Sequence, residues 1–136
     1  VRGAEVIVTA TSSTSPVVRA EWISGGAHIT AMGSDEPGKQ ELDPKLLARA
    51  DKVVVDSLKQ CARLGELHHA LDAGLMKEED VHAELGEVLL GKKPGRQSDK
   101  EVTVCDLTGI AVQDVAISGF VYEKAKRAGK GFYIEV

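Results

Sequence analysis

Residues 29–42, "ITAMGSDEPGKQEL", carry the reading on which the fold turns. An apolar run with β-branched Ile29 and Thr30 stops at Gly33, Asp35 follows at once, and Pro37-Gly38-Lys39 marks a turn. That is the pattern of a strand ending in a polar loop. Asp35 then has two readings. It caps the local turn formed by Pro37-Gly38, a common use of Asp, or it is an acid set at the mouth of a sheet for chemistry.

Working outward, three more segments resemble the first. With residues 28–32, the runs 6–10, 53–55 and 102–105 are short, β-branched and mostly apolar without strict alternation, as in parallel strands buried on both faces. Helical patterns fall between them. Asp43-Pro44 opens one, with a capping side chain followed by Pro at the first helical position, and it continues through Leu46, Leu47 and Ala50. A second has Leu85, Val88 and Leu89 on one side and stops at Gly91. The longest starts near Ile110, puts Val112, Val115, Ala116 and Gly119 on one side, and ends by Gly129. "GELHHALDAGL" (65–75) reads as a short helix and turn, and "GKKPGRQSDKE" (91–101) as a surface connection. Strands alternating with helices predict an α/β fold: a layered parallel sheet with flanking helices and right-handed crossovers.

The 136 residues suit one domain with one core. A net charge of −4 with both signs interspersed forms no basic stripe, which argues against nucleic acid. No apolar run has the length of a membrane span, and no signal peptide opens the chain, so no membrane association is expected. Cys61 and Cys105 form no CxxC pattern and read as reduced thiols of a cytoplasmic protein. His68, His69 and His82 fit no zinc spacing, so no metal is expected, and Trp22 reads as core or interface. The opening "VRGAEVIVTA" lacks an initiator Met and enters a strand almost at once, as a fragment of a larger protein would. The tail "GFYIEV" reads as a strand leaving the main sheet.

In an open parallel sheet, ligands bind beyond the carboxyl ends of the strands. Three of those ends are small and polar here: "TATSSTS" (9–15), "GSDEPGK" (33–39) and "DLTG" (106–109). The helix opening after Thr108-Gly109 offers N–H groups to an anion. At the fourth end, Asp56-Ser57 reads as a helix cap. Thr11, Ser12 and Ser13 also read as a plain polar turn, Gly109 as a turn residue and Lys39 as solvated surface.

Taken together, "VTATSS", "HITAMGSDEPGKQELDP", "GELHHALDAGL", "LGEVLLGKKPGR" and "VTVCDLTGIAVQD" resemble the ornithine cyclodeaminase/μ-crystallin family, which includes archaeal-type alanine dehydrogenases and ketimine reductases. The resemblance covers nearly the whole chain. It implies the second half of a Rossmann-like NAD- or NADP-binding domain over residues 1–128, with 129–136 returning to a substrate and dimerisation domain. It also implies that the glycine-rich phosphate fingerprint, absent from this sequence, lies upstream. By motif, Asp35 matches the catalytic acid. Met32, Gly33 and Ser34 match the adjacent cofactor and substrate wall, Lys39 a cofactor contact, and Thr11 a contact near the nicotinamide ribose. Leu107 stands where the family usually has a cofactor-contacting Ser, and Thr108 matches a substrate-facing position.

The implied chemistry is hydride transfer at the α-carbon of a small amino acid, through an imine. The imine is closed by a side-chain amine in a cyclodeaminase or hydrolysed in a dehydrogenase. Both need a proton carrier beside the α-nitrogen, which a partly desolvated carboxylate supplies. The expected partners are an amino-, imino- or keto-acid substrate and a second subunit in a homodimer. Two alternatives stand beside this: a ketimine or pyrroline-2-carboxylate reductase running hydride the other way, and a non-catalytic μ-crystallin-like NADP(H) and small-ligand binder. Asp35 favours the enzymes, because a binder has no need of an acid there.

Overall fold

The computed structural model describes residues 1–132 and 134. Its main sheet has five strands: β1 (Val6–Thr9), β3 (His28–Ala31), β5 (Lys52–Val55), β6 (Ala83–Glu84) and β7 (Thr103–Asp106). All pair in parallel, in the order β1-β3-β7-β5-β6. The four apolar runs of the sequence are thus four of these strands, and β1 is an edge. A separate two-stranded parallel sheet joins β2 (Thr14–Val18) to β4 (Gln40–Leu42). Sequence reading missed this pair for physical reasons. β2 carries Pro16, which cannot donate to a ladder, its register shifts between Thr14 and Val18, and β4 is only three residues long.

The helices are α1 (Pro44–Arg49), α2 (Leu58–Cys61), α3 (Glu66–Asp72), α4 (Leu85–Leu89) and α5 (Ala111–Arg127). α1 starts as its sequence predicts: Asp43 Oδ1 accepts from Lys45 N at 3.0 Å, with Pro44 at the first helical position. α1 and α3 pack on one face of the main sheet. Ile7, Ile29, Val53, Val55 and Val104 meet Leu46, Leu47, Leu67 and Ala70 there, all buried. Burying one Leu side chain contributes about 1.5–3 kcal/mol, so this layer supplies most of the apolar driving force.

The other face departs from the expectation of burial on both sides. Val6 and Val8 are 66% and 61% exposed. Further in, His28, Thr30, Val54, Thr103 and Cys105 floor an open groove of about 500 Å³ with Val88 and Leu107 on its walls. Only β7, at the centre, buries all four of its residues. An apolar run fixes a strand's preference for a covered surface, but among the described residues the helices fill one face, and on the other α4 only walls the groove. α5 departs further. It buries no residue, and Val112, Val115, Ala116 and Gly119 are all exposed, as are Ile117, Phe120, Val121 and Tyr122. Its apolar residues run round the helix rather than down one side. The strand expected in the tail lies largely outside the described residues.

Two buried acids tie the helical layer to the sheets. Glu66 of α3 accepts from Glu41 N at 2.7 Å and Leu42 N at 3.0 Å, fastening β4. Asp106, the last residue of β7, accepts from Leu67 N at 2.9 Å, while its Oδ1 has no partner among the described residues. The fit is close: a Cβ on Gly65 would lie 2.3 Å from Asp106 Oδ2, which excludes any side chain at 65. Burial, with Asp106 and Glu41 nearby, pushes Glu66 up to about 7 against the pull of its two N–H donors. Burial likewise raises Asp106 to about 6.

These shifts carry a sign. An acid whose folded pKa lies above its unfolded value binds an extra proton when folded, so its contribution is fully present below the unfolded pKa and is lost as pH rises through the folded one. For Glu66 the window runs from about 4.5 to about 7, and Asp106 acts in the same direction from about 3.8 to about 6. The melting temperature is therefore expected to fall between pH 5 and pH 8, with a shallower slope in Glu66→Gln. Calorimetry across that range checks this, and equal slopes in the two proteins would contradict it.

Candidate active site

The register of the main sheet puts Thr9, Ala31, Asp106 and Val55 level with one another. One more ladder bond follows each pairing: Met32 N to Thr9 O at 2.9 Å, Leu107 N to Ala31 O at 2.9 Å, and Asp56 N to Asp106 O at 3.2 Å. The loops after β1, β3, β7 and β5 therefore leave the sheet along one carboxyl edge. Thr11, the segment from Met32 to Lys39, Leu107 and Thr108 are all on it, as the sequence predicted.

The loop after β3 is folded on itself. Ser34 is buried, and its hydroxyl donates to Lys39 O at 2.6 Å, with Leu64 O at 3.3 Å. His69 Nε2 also meets Lys39 O at 2.6 Å. Lys39 N closes the turn on Glu36 O at 3.0 Å. Asp35 does not cap this turn: its Oδ1 accepts from Lys39 Nζ at 2.6 Å. The Asp35 side chain is 52% exposed, and the hydrogen bond from Lys39 holds its pKa below the usual carboxylate range. The partly desolvated acid expected from sequence is here a solvated, ion-paired carboxylate. Ser34, expected in the ligand wall, turns its hydroxyl inward and holds the loop, while Met32 is exposed.

Beneath this loop lies a residue that sequence reading passed over. Glu41 of β4 is fully buried; its Oε1 accepts from Thr11 N at 2.5 Å and its Oε2 from Gly33 N at 2.8 Å. Burial works to raise its pKa, but the donors around it prevail and hold it below the usual value. Gly33 is required by this contact, since a Cβ there would sit 2.3 Å from Thr11 O and 2.5 Å from the Glu41 carboxyl carbon.

The pair Asp56-Ser57 does open a helix, with Ser57 at the N-cap of α2, but the Ser57 side chain makes no cap hydrogen bond. Asp56 Oδ2 instead accepts from Thr108 N at 2.9 Å and Gly109 N at 2.8 Å. Its Oδ1 takes the Thr108 hydroxyl at 3.1 Å, Ser57 N at 2.8 Å and the Cys61 thiol at 3.2 Å. Gln60 Nε2 donates to Thr108 Oγ1 at 3.0 Å and to Gly109 O at 2.7 Å. The N–H groups of Thr108 and Gly109, just ahead of α5, are thus satisfied internally. Gly109 has φ +78°, a left-handed turn that glycine adopts without strain. Leu107 faces the open groove with His28 and Thr30. Both cysteines are free and buried; burial raises the Cys61 thiol strongly and Cys105 to about 11, so neither is a nucleophile near neutral pH.

The edge thus carries small residues, an exposed acid and a cation on loops anchored from below. Among the described residues, no group of three or more His, Cys, Asp or Glu could hold a metal ion, and no helix is long and apolar enough to cross a membrane. A cofactor fits in part. The loops after β1 and β3 suit the close approach of a flat ring, while the sequence has no glycine-rich cradle for phosphates.

Known proteins share this sequence pattern and fold. The alanine dehydrogenase of Archaeoglobus fulgidus is 50% identical over 131 residues, which cover 96% of this chain and 40% of that protein. The crystal structure of the iminosuccinate reductase of Paracoccus denitrificans in complex with NAD+ matches with a TM-score of 0.89 at 47% identity, over 96% of this chain and 40% of that one. The Thermococcus litoralis Δ1-pyrroline-2-carboxylate reductase, in complex with NADH and L-proline, matches with a TM-score of 0.92 at 30% identity, over 98% of this chain and 41% of that one. The chain thus spans about two-fifths of the length of these relatives, and its parallel sheet is the Rossmann-like architecture of NAD-binding enzymes. The family model for ornithine cyclodeaminase/mu-crystallin matches residues 1–129, and the chain belongs to the ornithine cyclodeaminase/mu-crystallin family.

Proposed function

We propose that this chain forms the nicotinamide side of the active site in an NAD(P)-dependent oxidoreductase or cyclodeaminase acting at the α-carbon of a small amino acid through an imine. The observation that carries the reading is Asp35: an exposed carboxylate presented just beyond the end of β3, on a loop held from beneath by Ser34, His69 and Glu41. Residues 1–128 are then part of the cofactor domain, and 129–136 return toward a substrate and dimerisation domain. The exposed apolar surface of α5 suits a chain leaving the sheet for further contacts. The complete enzyme acts as a homodimer in the cytoplasm, on an amino-, imino- or keto-acid substrate.

When bound, NAD or NADP supplies the hydride acceptor or donor. This chain's residues do the rest on their side of the cleft. Thr11, Met32 and Gly33 form the wall at the ends of β1 and β3, with Leu107 and Thr108 at the end of β7. Asp35 is the proton carrier for the substrate nitrogen. The hydrogen bond from Lys39 holds its pKa low, so it stands ready as a base. Both partners of that pair are solvent-accessible, and such pairs separate at little cost. Lys39 would then hold the anionic part of the cofactor, and exclusion of water by the substrate would lift the Asp35 pKa toward the working range. The opposite hydride direction, as in a pyrroline-2-carboxylate reductase, uses the same groups with Asp35 giving up the proton.

In the complete enzyme containing this chain, Asp35→Asn is expected to lower kcat by roughly 10²–10⁴-fold, the usual worth of a positioned acid–base group, while the NAD(P)H Kd stays within about threefold. Steady-state kinetics with a fluorescence titration test this. Turnover within about tenfold of the parent would remove Asp35 from the chemistry.

The 136-residue chain on its own is expected to bind NADH only weakly, because the phosphate cradle supplies much of dinucleotide recognition. Micromolar affinity in a calorimetric titration would show that this half of the cleft is sufficient and contradict the division proposed.

A further inference from the structure

We propose that Glu41 is a positioning residue of the reaction: its buried carboxylate sets the Asp35 loop relative to the Thr11 loop and acts on turnover through Asp35. The inference rests on the reading of Asp35 as proton carrier. Its geometry is independent of that reading. One carboxylate spans two loops that leave different strands, with Oε1 on Thr11 N and Oε2 on Gly33 N, two residues before Asp35. Glu41 has no exposed surface, so it does not touch a ligand. Its own backbone N–H is fixed by Glu66 of α3, which leaves the carboxylate little freedom to follow a loop that drifts. Gly33 packs against both partners so closely that no side chain fits between Thr11 O and the carboxylate. The clamp therefore holds one separation of the two loops. Acid–base groups lose rate steeply when displaced by about an ångström, so a residue that fixes this separation controls kcat without sharing in substrate binding.

The test is a double-mutant cycle in the complete enzyme, with Glu41→Gln, Asp35→Asn and the double variant. Gln keeps one acceptor and turns its NH2 on the other backbone N–H, which opens one arm of the clamp. Glu41→Gln is expected to lower kcat at least tenfold, with KM for cofactor and substrate within about threefold, and amide exchange at Thr11 and Gly33 is expected to quicken. In the Asp35→Asn background the same substitution is expected to cost less than twofold, because its effect passes through a group already removed. Full additivity of the two effects, or a parental kcat in Glu41→Gln, overturns the proposal. If Asp35→Asn alone turns over like the parent, the reading of Asp35 fails instead, and the two failures are distinct. Should Glu41→Gln not fold, Glu41→Asp shortens the side chain by one methylene and loosens the clamp with its charge intact. A fall in its kcat at constant KM, absent in the Asp35→Asn background, supports the proposal, and a parental kcat overturns it.

Discussion

Four backbone N–H groups at the carboxyl edge of the main sheet, those of Thr11, Gly33, Thr108 and Gly109, point away from the strand ladder and need acceptors. Each finds a carboxylate: Glu41 takes the first two and Asp56 the others. A hydrogen bond to a charged group contributes about 1.5–3 kcal/mol net, and a buried N–H left without a partner costs about 1–3 kcal/mol. The burial of these acids opposes that gain. At Glu66 and Asp106 burial prevails and raises both carboxyls. At Glu41 the convergent donors prevail, and it stays a firm anion.

Anchoring from beneath explains why the ligand-facing side is built of small and polar residues. Loops held by their own side chains would need bulk at the surface. Loops held by buried acids leave room there for a ligand. The same economy accounts for Gly33 and Gly65, which are dictated by the approach of a carboxylate rather than by a turn. The acids divide accordingly: Glu41, Asp56, Glu66 and Asp106 are buried and occupied by backbone donors, while Asp35 is exposed and paired with Lys39. The first group holds and the second is free to exchange protons.

Much of this was legible in the sequence. β1, β3, β5 and β7 were visible as β-branched runs, α1 through Asp43-Pro44, and the carboxyl-edge loops through their small polar residues. The resemblance of "GSDEPGK" and "DLTG" to a known family suggested the roles that the proposal gives Asp35, Thr108 and their neighbours. What escaped depended on long-range structure. β2 and β4 are short and pair across 26 positions, as Thr14 with Gln40 shows, and neither carries a periodic pattern. Glu41, between Gln40 and Leu42, carries no signal of its own, and Asp56-Ser57 reads only as a cap, because nothing local reveals that an acid will be buried against another loop's N–H groups. The exposed face of β1 and the bare surface of α5 escaped for a related reason: hydrophobicity says that a surface prefers cover, not that this chain supplies it.

The central claim is that the edge carrying Thr11, Gly33 and Asp35 is where the α-carbon and the nicotinamide meet. A crystal structure of the complete enzyme with NAD(P) and an unreactive substrate analogue tests it most directly. The account predicts the nicotinamide ring against the loops after β1 and β3, Lys39 released from Asp35, and the Asp35 carboxylate within about 2.6–3.2 Å of the analogue's α-nitrogen. A nicotinamide placed elsewhere, or an Asp35 still paired to Lys39 and turned to solvent with the analogue bound, would contradict it.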